Sequence, residues 1–219
     1  MVKEIEIKIP TSYGDISLKK WLALQSDINN YRDNDEAVGV VMLNHLCGLD
    51  VAYLKALPID VYNTISQDLN NFLGNVDLPL KRFVTIDGIE YGFEPNLSNM
   101  TYGAYSDITK FKTIEMDENW AKIMNILYRP VKHKKGDMYS IETYRGDDDF
   151  EKWLDVPMDV HFGALFFLLN LQIDLLNFTL NYLKEEELPL NIKQILARSG
   201  QIMQPLLNWQ KGISLKSMK

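Results

Sequence analysis

The chain has 219 residues, of which 46% are hydrophobic and 11% aromatic, and its formal net charge is −7. A chain of this size can bury a substantial core, and so many large rings exclude an intrinsically disordered protein. The acidic balance argues against broad binding to nucleic acid, because such binding depends on neutralising many phosphates.

Cysteine content and hydropathy predict an intracellular protein. Cys47 is the single cysteine, so the chain cannot form an internal disulfide. No basic segment followed by an apolar stretch and a small-residue cleavage site opens the sequence. The longest apolar run, residues 162–169, is less than half of the roughly 20 residues that a membrane-spanning helix needs. We therefore expect that the chain does not span a membrane.

The first elements follow from alternation and from a capping residue. Apolar and charged residues alternate over residues 2–9 and stop at Pro10, which predicts a half-exposed strand. Ser17 precedes an apolar pattern with helical spacing. We predict that Ser17 is the N-cap of the first helix.

Two further helices are predicted in the first third of the chain. The acids at residues 33–36 precede and enter the first turn of the next helix, where they favour its positive end. Gly48, after Cys47, is a typical helix stop. Pro58 suits the first turn of a helix that continues to Gly74. This part of the chain is therefore predicted to be a helical array.

A hairpin is the strongest local prediction. Asp87 and Gly88 lie between two β-rich runs, residues 83–86 and 89–93. This dipeptide favours a two-residue turn between antiparallel strands.

After the hairpin the pattern again becomes helical. Helices are predicted over residues 100–111 and 118–128, and Pro130 is predicted to end the second one. Residues 131–149 are mostly polar and are predicted to form a loop.

One long helix over residues 157–187 is predicted to lie at the centre of the core. Its interior polar residues are spaced by four, three and four positions and form one stripe: Asn170, Asp174, Asn177 and Asn181. The remaining surface is apolar and wider than the face of an ordinary surface helix. The stripe is predicted to face solvent; the alternative is a subunit interface in which the amides fix the register.

Together these elements predict an α+β fold, predominantly helical, with a small antiparallel sheet and one long central core helix. Residues 1–187 are predicted to form a single compact domain, with residues 74–80 as the candidate boundary between two lobes. Residues 188–219 are predicted to be a basic C-terminal helix and tail. This tail holds five basic residues and no acid, which leaves a net charge of −12 for residues 1–187.

No pattern of residues indicates a catalytic centre. The Gly-x-Ser-x-Gly elbow and the glycine-rich phosphate loops are absent. His45, His133 and His161 lack the spacing of a helical zinc site, and His45, Cys47 and His161 are predicted to be packed core residues. We predict no catalytic, cofactor-binding or metal-binding residues. The alternative is an enzyme whose site is assembled from dispersed acids.

Two charged segments are predicted to be solvated loops. GDDDFE, residues 146–151, begins like an EF-hand loop, but Lys152 stands where that loop needs glycine, and Met158 where it needs a bidentate acid. KHKKG, residues 132–136, could contact phosphates, but acids lie close to it in the sequence.

The basic tail is the predicted partner-binding segment. Apolar and basic residues alternate after Pro205, and six of them form the candidate site: Leu206, Trp209, Lys211, Ile213, Leu215 and Lys216. Aromatic anchors dominate many interfaces, so this segment could bind an acidic groove of a partner or a neighbouring copy. The alternative is that the tail packs on its own domain.

Three segments resemble proteins encoded by tailed bacteriophages. They are FEPNLSNMTYGAYSDITKF at residues 93–111, ENWAKIMNILYRPV at residues 118–131, and YSIETYRG leading to VPMDVHFGALFFLLNL within residues 139–171. The opening IPTSYGDISLKKWLAL, residues 9–24, is similar to proteins from the virion structure and assembly region, including virion-associated and tail-assembly-chaperone-like proteins. The resemblance covers residues 5–183, and the tail lies outside it.

The resemblance implies a role in building the phage particle. Virion and assembly proteins work by surface complementarity, so it implies binding to a head, neck or tail component, in the host cytoplasm during assembly and then in the virion. The implied partners are other phage proteins. From the residues themselves a homo-oligomer is a further prediction, and neither a cofactor nor a membrane is expected. The main alternative is a transient tail-assembly chaperone that is absent from the mature particle. The matching residues are packing and turn types, so the resemblance assigns no functional residue.

Overall fold

The computed structural model describes residues 7–31, 33–74, 78–111, 116–146 and 149–183. The chain divides into two compact units: the first comprises Met1–Leu78 and Leu154–Asp159, and the second comprises Pro79–Trp153 and Val160–Lys219. The division after Leu78 falls inside residues 74–80, the candidate boundary in the sequence. The predicted α+β fold is confirmed, since the described residues form seven α-helices and one four-stranded antiparallel sheet.

The first unit is helical. Its helices are α1 (Leu18–Asn30), α2 (Asp35–Cys47), α3 (Val51–Leu54) and α4 (Ile59–Leu73), and α4 lies between Pro58 and Gly74 as predicted. The strand predicted over residues 2–9 lies mostly outside the described residues, and residues 7–9 have no regular secondary structure. Helix packing therefore supplies the core of this unit, which includes Ile16, Leu18, Leu24, Leu43, Leu46, Leu54, Ile65 and Leu69.

Local chemistry sets the ends of the first two helices. Ser17 is the N-cap of α1, as predicted, and its side chain accepts a hydrogen bond from the backbone N–H of Lys20. Asn34, rather than a neighbouring acid, caps α2 by accepting from the N–H of Ala37. Gly48 ends α2 with a φ of 69°, a left-handed conformation that a residue without Cβ adopts at little cost.

Residues 154–159 join the first unit through backbone hydrogen bonds. The N–H of Leu18 donates to the carbonyl oxygen of Val156 at 3.1 Å, and the N–H of Met158 donates to that of Ile16 at 2.8 Å. These two bonds flank an isolated antiparallel bridge. A segment distant in sequence therefore completes the start of α1.

The second unit contains the sheet. Its strands are β1 (Phe83–Ile86), β2 (Ile89–Phe93), β3 (Tyr128–Lys135) and β4 (Met138–Ile141), which are neighbours in that order. Its helices are α5 (Tyr102–Ile108), α6 (Trp120–Leu127) and α7 (Met158–Leu183). The first two residues of α7, Met158 and Asp159, belong to the first unit. Both helices predicted between the hairpin and residue 130 are thus confirmed, with shorter bounds.

The hairpin predicted at Asp87 and Gly88 is confirmed together with its strands. Asp87 has a φ of 50° and Gly88 a φ of 79°. Positive φ at both central residues is the geometry of a type I′ turn, whose twist matches that of the flanking strands. Ile86 and Ile89 consequently face each other as the first cross-strand pair.

The prediction of a loop over residues 131–149 is wrong for the first half of this range, which forms part of a second hairpin. β3 and β4 are joined by Gly136 and Asp137, and Gly136 has a φ of 59°, as the first central residue of a type II′ turn requires. Residues 132–138 are all exposed, so no alternation between apolar and polar residues marks the second half of β3. KHKKG therefore lies in strand and turn, although its side chains are solvated.

Pro130 does not end α6, because that helix already stops at Leu127. It lies inside β3 opposite Tyr91. The N–H of Glu94 donates to the carbonyl oxygen of Leu127, and hydrogen-bonded pairs alternate along antiparallel strands, so Tyr91 and Pro130 form a non-hydrogen-bonded pair. The missing N–H of proline therefore costs the β2–β3 ladder no hydrogen bond.

One face of the sheet packs on α7 to form the core of the second unit. Tyr91, Phe93 and Tyr128 are buried on this face. The ring of Phe93 lies 5.4 Å from that of Phe167 on α7, and the rings of Tyr91 and Tyr128 lie 5.7 and 5.2 Å from that of Trp153. These contacts are edge-to-face or tilted, the arrangements that aromatic rings prefer.

Burial along α7 changes at residue 170. Most side chains between Val160 and Leu169 are buried, which confirms the predicted core helix for this part. Asn170, Asp174 and Asn177 are exposed, as predicted for the polar stripe. The side chain of Asn181 and residues 184–187 lie outside what the structure describes.

Candidate interaction surface

His161 is fully buried in the second unit and uses both ring nitrogens. Its Nδ1 accepts a hydrogen bond from the indole N–H of Trp120 at 3.1 Å, and its Nε2 lies 3.1 Å from the carbonyl oxygen of Trp153. An indole N–H only donates and a carbonyl oxygen only accepts, so the ring is neutral with its proton on Nε2. The indole N–H of Trp153 donates to Asn125. His161 is therefore a hydrogen-bonded core residue, as predicted.

A buried ion pair joins β3 to the residue that follows β2. Arg129 donates through Nη2 to the carboxylate of Glu94, and these side chains are 8% and 10% exposed. The Nε and Nη1 of Arg129 have no hydrogen-bond partner among the described residues. Removing one member of such a pair typically costs about 3–5 kcal/mol, because the other charge stays buried. The pair therefore constrains this end of the sheet.

On the outer face of the sheet, neighbouring side chains fill the space above Gly92. A Cβ at this position would lie 2.9 Å from the ring of Tyr139 and 3.0 Å from Cγ2 of Ile141. The hydroxyl of Tyr139 donates to the carbonyl oxygen of Phe93 at 2.6 Å, and its ring packs on Phe83 with centroids 4.7 Å apart. Burial raises the pKa of Tyr139 above its ordinary value. Glycine thus lets two side chains of β4 lean inward over the sheet.

The two hairpin turns lie at the same end of the sheet, because β2 and β3 are antiparallel neighbours. Two large apolar side chains are exposed there, Met138 by 74% and Ile89 by 49%. Lys134 donates to Glu90 at 2.7 Å, and its ammonium nitrogen lies 3.6 Å from the ring centroid of Phe83. This lysine therefore binds the two hairpins to each other.

Two further lysines complete this surface. Lys132 and Lys135 are exposed, and neither forms an ion pair within the part of the chain that the structure describes. We name the group formed by Ile89, Glu90, Lys132, Lys134, Lys135 and Met138 the turn-end surface. It combines solvated apolar side chains with charges of both signs, which can contact a partner chain but include no arranged nucleophile and base.

In the first unit a histidine and a carboxylate connect α1 and α2. Nε2 of His45 lies 2.7 Å from Oδ2 of Asp27, and both side chains are partly exposed. The prediction that His45 and Cys47 are packed core residues is wrong, because both are only partly buried. Burial raises the pKa of the Cys47 thiol, and the charge of Lys20 acts in the opposite direction. The thiol is therefore mostly protonated at neutral pH.

The predicted partner-binding residues lie outside the described residues: Leu206, Trp209, Lys211, Ile213, Leu215 and Lys216. The acidic run at residues 146–151 is described only in part. Among the residues that the structure does describe, no group of three or more His, Cys, Asp or Glu could hold a metal ion. Within the same ranges, none of the helices combines the length and hydropathy needed to cross a bilayer.

The turn-end surface is not predicted from the sequence, although one signal for it exists. Gly136 and Asp137 form a two-residue Gly-Asp turn, and Met138 begins a short run rich in β-forming residues. The exposed side chains of residues 132–138 conceal this signal, because they show no hydrophobic periodicity.

No protein-family model, curated protein or solved structure matches the chain. Its function is therefore inferred from its own residues and surfaces and from the resemblance of its segments.

Proposed function

We propose that this chain is a non-catalytic interaction protein of a tailed bacteriophage, which binds a head, neck or tail component and is retained in the virion. The observation that carries the proposal is the turn-end surface, where Met138 and Ile89 are exposed among lysines. Exposed apolar side chains beside polar and charged ones are common at protein contact sites. The segments that resemble virion and assembly proteins supply the biological setting.

The chemistry of the turn-end surface suits a protein partner. Met138 carries a flexible, polarizable thioether that adapts to irregular surfaces, whereas the β-branched Ile89 is stiff. The lysines favour acidic groups on the partner, but Asp87 and Asp137 in the turns balance part of their charge. Apolar contact is therefore expected to supply most of the affinity, and the charges to supply orientation.

Quantitative mass spectrometry of purified particles of the encoding phage tests the proposed location. A fixed copy number relative to the portal and major capsid proteins is expected for a virion component. Presence in infected lysate together with absence from particles would instead favour the transient assembly chaperone. If the chain co-purified with no phage protein in either sample, the proposed function would be refuted.

Variants of the chain test which surface binds the partner. Replacing Ile89 and Met138 together by Glu should abolish incorporation into particles, because it replaces both exposed apolar side chains of the turn-end surface with charges. Ile59→Glu is the matched control, since Ile59 is 72% exposed in the first unit. Deletion of residues 199–219 tests the tail hypothesis separately. Incorporation that survives the double substitution but not the deletion would assign binding to the tail.

A further inference from the structure

The free edge of β4 is a second interaction surface, separate from the proposed function. We propose that β4 pairs, antiparallel and about a twofold axis, with β4 of a second copy of this chain. β4 has β3 on one side, and among the described residues no strand occupies its other side. An open strand edge presents unpaired backbone donors and acceptors, which makes it a template for pairing with another chain.

The backbone groups available at this edge follow from the second hairpin. Lys135 and Met138 close a two-residue turn and so form a hydrogen-bonded pair. Bonding alternates along the strand, and the N–H of Glu142 again donates inward, to the carbonyl oxygen of Pro130 at 2.9 Å. The N–H and C=O of Tyr139 and Ile141 therefore point outward. Neither residue makes another backbone hydrogen bond within the described ranges.

The sequence of β4 lacks the lysine and proline that often block pairing between chains. The strand is nevertheless only four residues long, and the β3–β4 register shifts between Val131 and His133. Natural edge strands carry lysine, proline or a covering side chain, whereas β4 consists of Met-Tyr-Ser-Ile. The side chains of Tyr139 and Ile141 lean inward over Gly92, so they do not cover the outward backbone groups. The absence of a side chain at Gly92 on β2 thus lets these two side chains leave the outer edge of β4 uncovered.

Self-pairing centred on Ser140 satisfies the backbone groups in register. It places Tyr139 opposite Ile141 of the second copy, so the outward groups form two hydrogen-bonded pairs. Ser140 then faces Ser140 of the second copy in the intervening non-hydrogen-bonded pair. No like charges meet across the axis.

The same register brings opposite charges together. Met138 lies opposite Glu142 of the second copy, and Lys135 is the cross-strand neighbour of Met138 on the same face. Lys135 and that Glu142 are then two strand spacings apart, roughly 10 Å between backbones, which extended Lys and Glu side chains can bridge. Both side chains are exposed and form no ion pair among the described residues. Because the dimer is twofold symmetric, this attraction between Lys135 and Glu142 occurs twice in it.

The contact involves few residues, so the dimer is expected to be weak and concentration-dependent. Sedimentation equilibrium of the full chain should detect dimers at concentrations on the order of 100 μM. Ser140→Glu and Ser140→Lys each place like charges across the axis and should raise the dimer dissociation constant at least tenfold. An equimolar mixture of the two variants should regain dimers, because opposite charges then meet.

Thr85→Lys is the matched control for Ser140→Lys, because Thr85 is an exposed residue on β1, at the other edge of the sheet, and lies opposite Glu90. It should leave the dimer unchanged. A wild-type chain that stays monomeric overturns the proposal, as does a dimer that tolerates both Ser140 variants or one that Thr85→Lys disrupts. Failure of the Ser140 variants to regain dimers when mixed also overturns it. None of these results bears on whether the chain occurs in phage particles.

Discussion

Substitution of Gly163 on α7 by alanine is predicted to destabilise the fold, whereas substitution of Gly103 on α5 is not. A Cβ on Gly163 would lie 2.5 Å from the carbonyl oxygen of Pro79 and 3.4 Å from Cα of Leu80. At Gly103 the nearest atom, Cδ1 of Tyr144, would lie at an ordinary contact distance of 3.7 Å. The two helical glycines therefore differ in steric surroundings, not in backbone conformation.

The magnitudes follow from two opposing effects. Alanine is favoured over glycine inside a helix by up to about 1 kcal/mol. Gly103→Ala is near a helix end and should raise the free energy of unfolding by about 0.5 kcal/mol. In Gly163→Ala the Cβ and a backbone oxygen must separate from 2.5 Å to at least the 3.0 Å of real contacts. Overpacking of this kind costs about 1–3 kcal/mol, which the gain in helix propensity offsets in part, so we expect a net loss of up to about 2 kcal/mol.

Urea unfolding followed by tryptophan fluorescence measures both effects, because Trp120 and Trp153 are buried in the second unit. The midpoint should fall for Gly163→Ala and rise slightly for Gly103→Ala, with unchanged slopes. Equal midpoints for the two variants would show that α7 does not approach the Pro79 backbone as described, and would refute the steric reasoning.

Two further predictions concern buried hydrogen bonds. His161→Leu leaves the indole N–H of Trp120 unpaired and should cost about 2–3 kcal/mol. Together with Trp120→Phe the loss should be smaller than the sum of the two single losses, and purely additive effects in a double-mutant cycle would contradict the bond. Tyr128→Phe removes the hydrogen bond to the carbonyl oxygen of Lys81 and should cost about 1 kcal/mol at pH 7. Burial raises the pKa of Tyr128, so its contribution is complete below the ordinary tyrosine pKa and is lost as the pH rises above it. Urea unfolding from pH 7 to 11 should therefore show the variant and the wild type converging, and a constant difference would contradict this.

Features fixed by a few adjacent residues are predicted well from the sequence. The φ values of Asp87 and Gly88, the cap at Ser17 and the stop at Gly48 each depend on the chemistry of one or two side chains. The start of α7 and its stripe of polar residues follow from helical periodicity, which needs only one continuous segment. In these cases local preference and tertiary packing favour the same structure.

Features that depend on a distant partner are not predicted. β3 is a strand because β2 lies beside its first half and β4 beside its second half. The exposed lysines of the second hairpin give no periodic signal, and Pro130 suggests a break although its position opposite Tyr91 removes no hydrogen bond from the β2–β3 ladder. The turn-end surface is missed for the same reason, because it forms where two hairpins meet.

By itself the sequence determines that this protein folds around a large apolar core, that it is α+β and mainly helical, and where the first hairpin turn, the cap of α1 and the end of α2 lie. These properties follow from composition and from residues close together in the chain. Only the tertiary structure decides the partners of β3, the contacts of His161 and the open edge of β4. Each of these depends on side chains or strands brought together from separate parts of the sequence, such as Gly92 beneath Tyr139, and local preferences cannot specify such contacts.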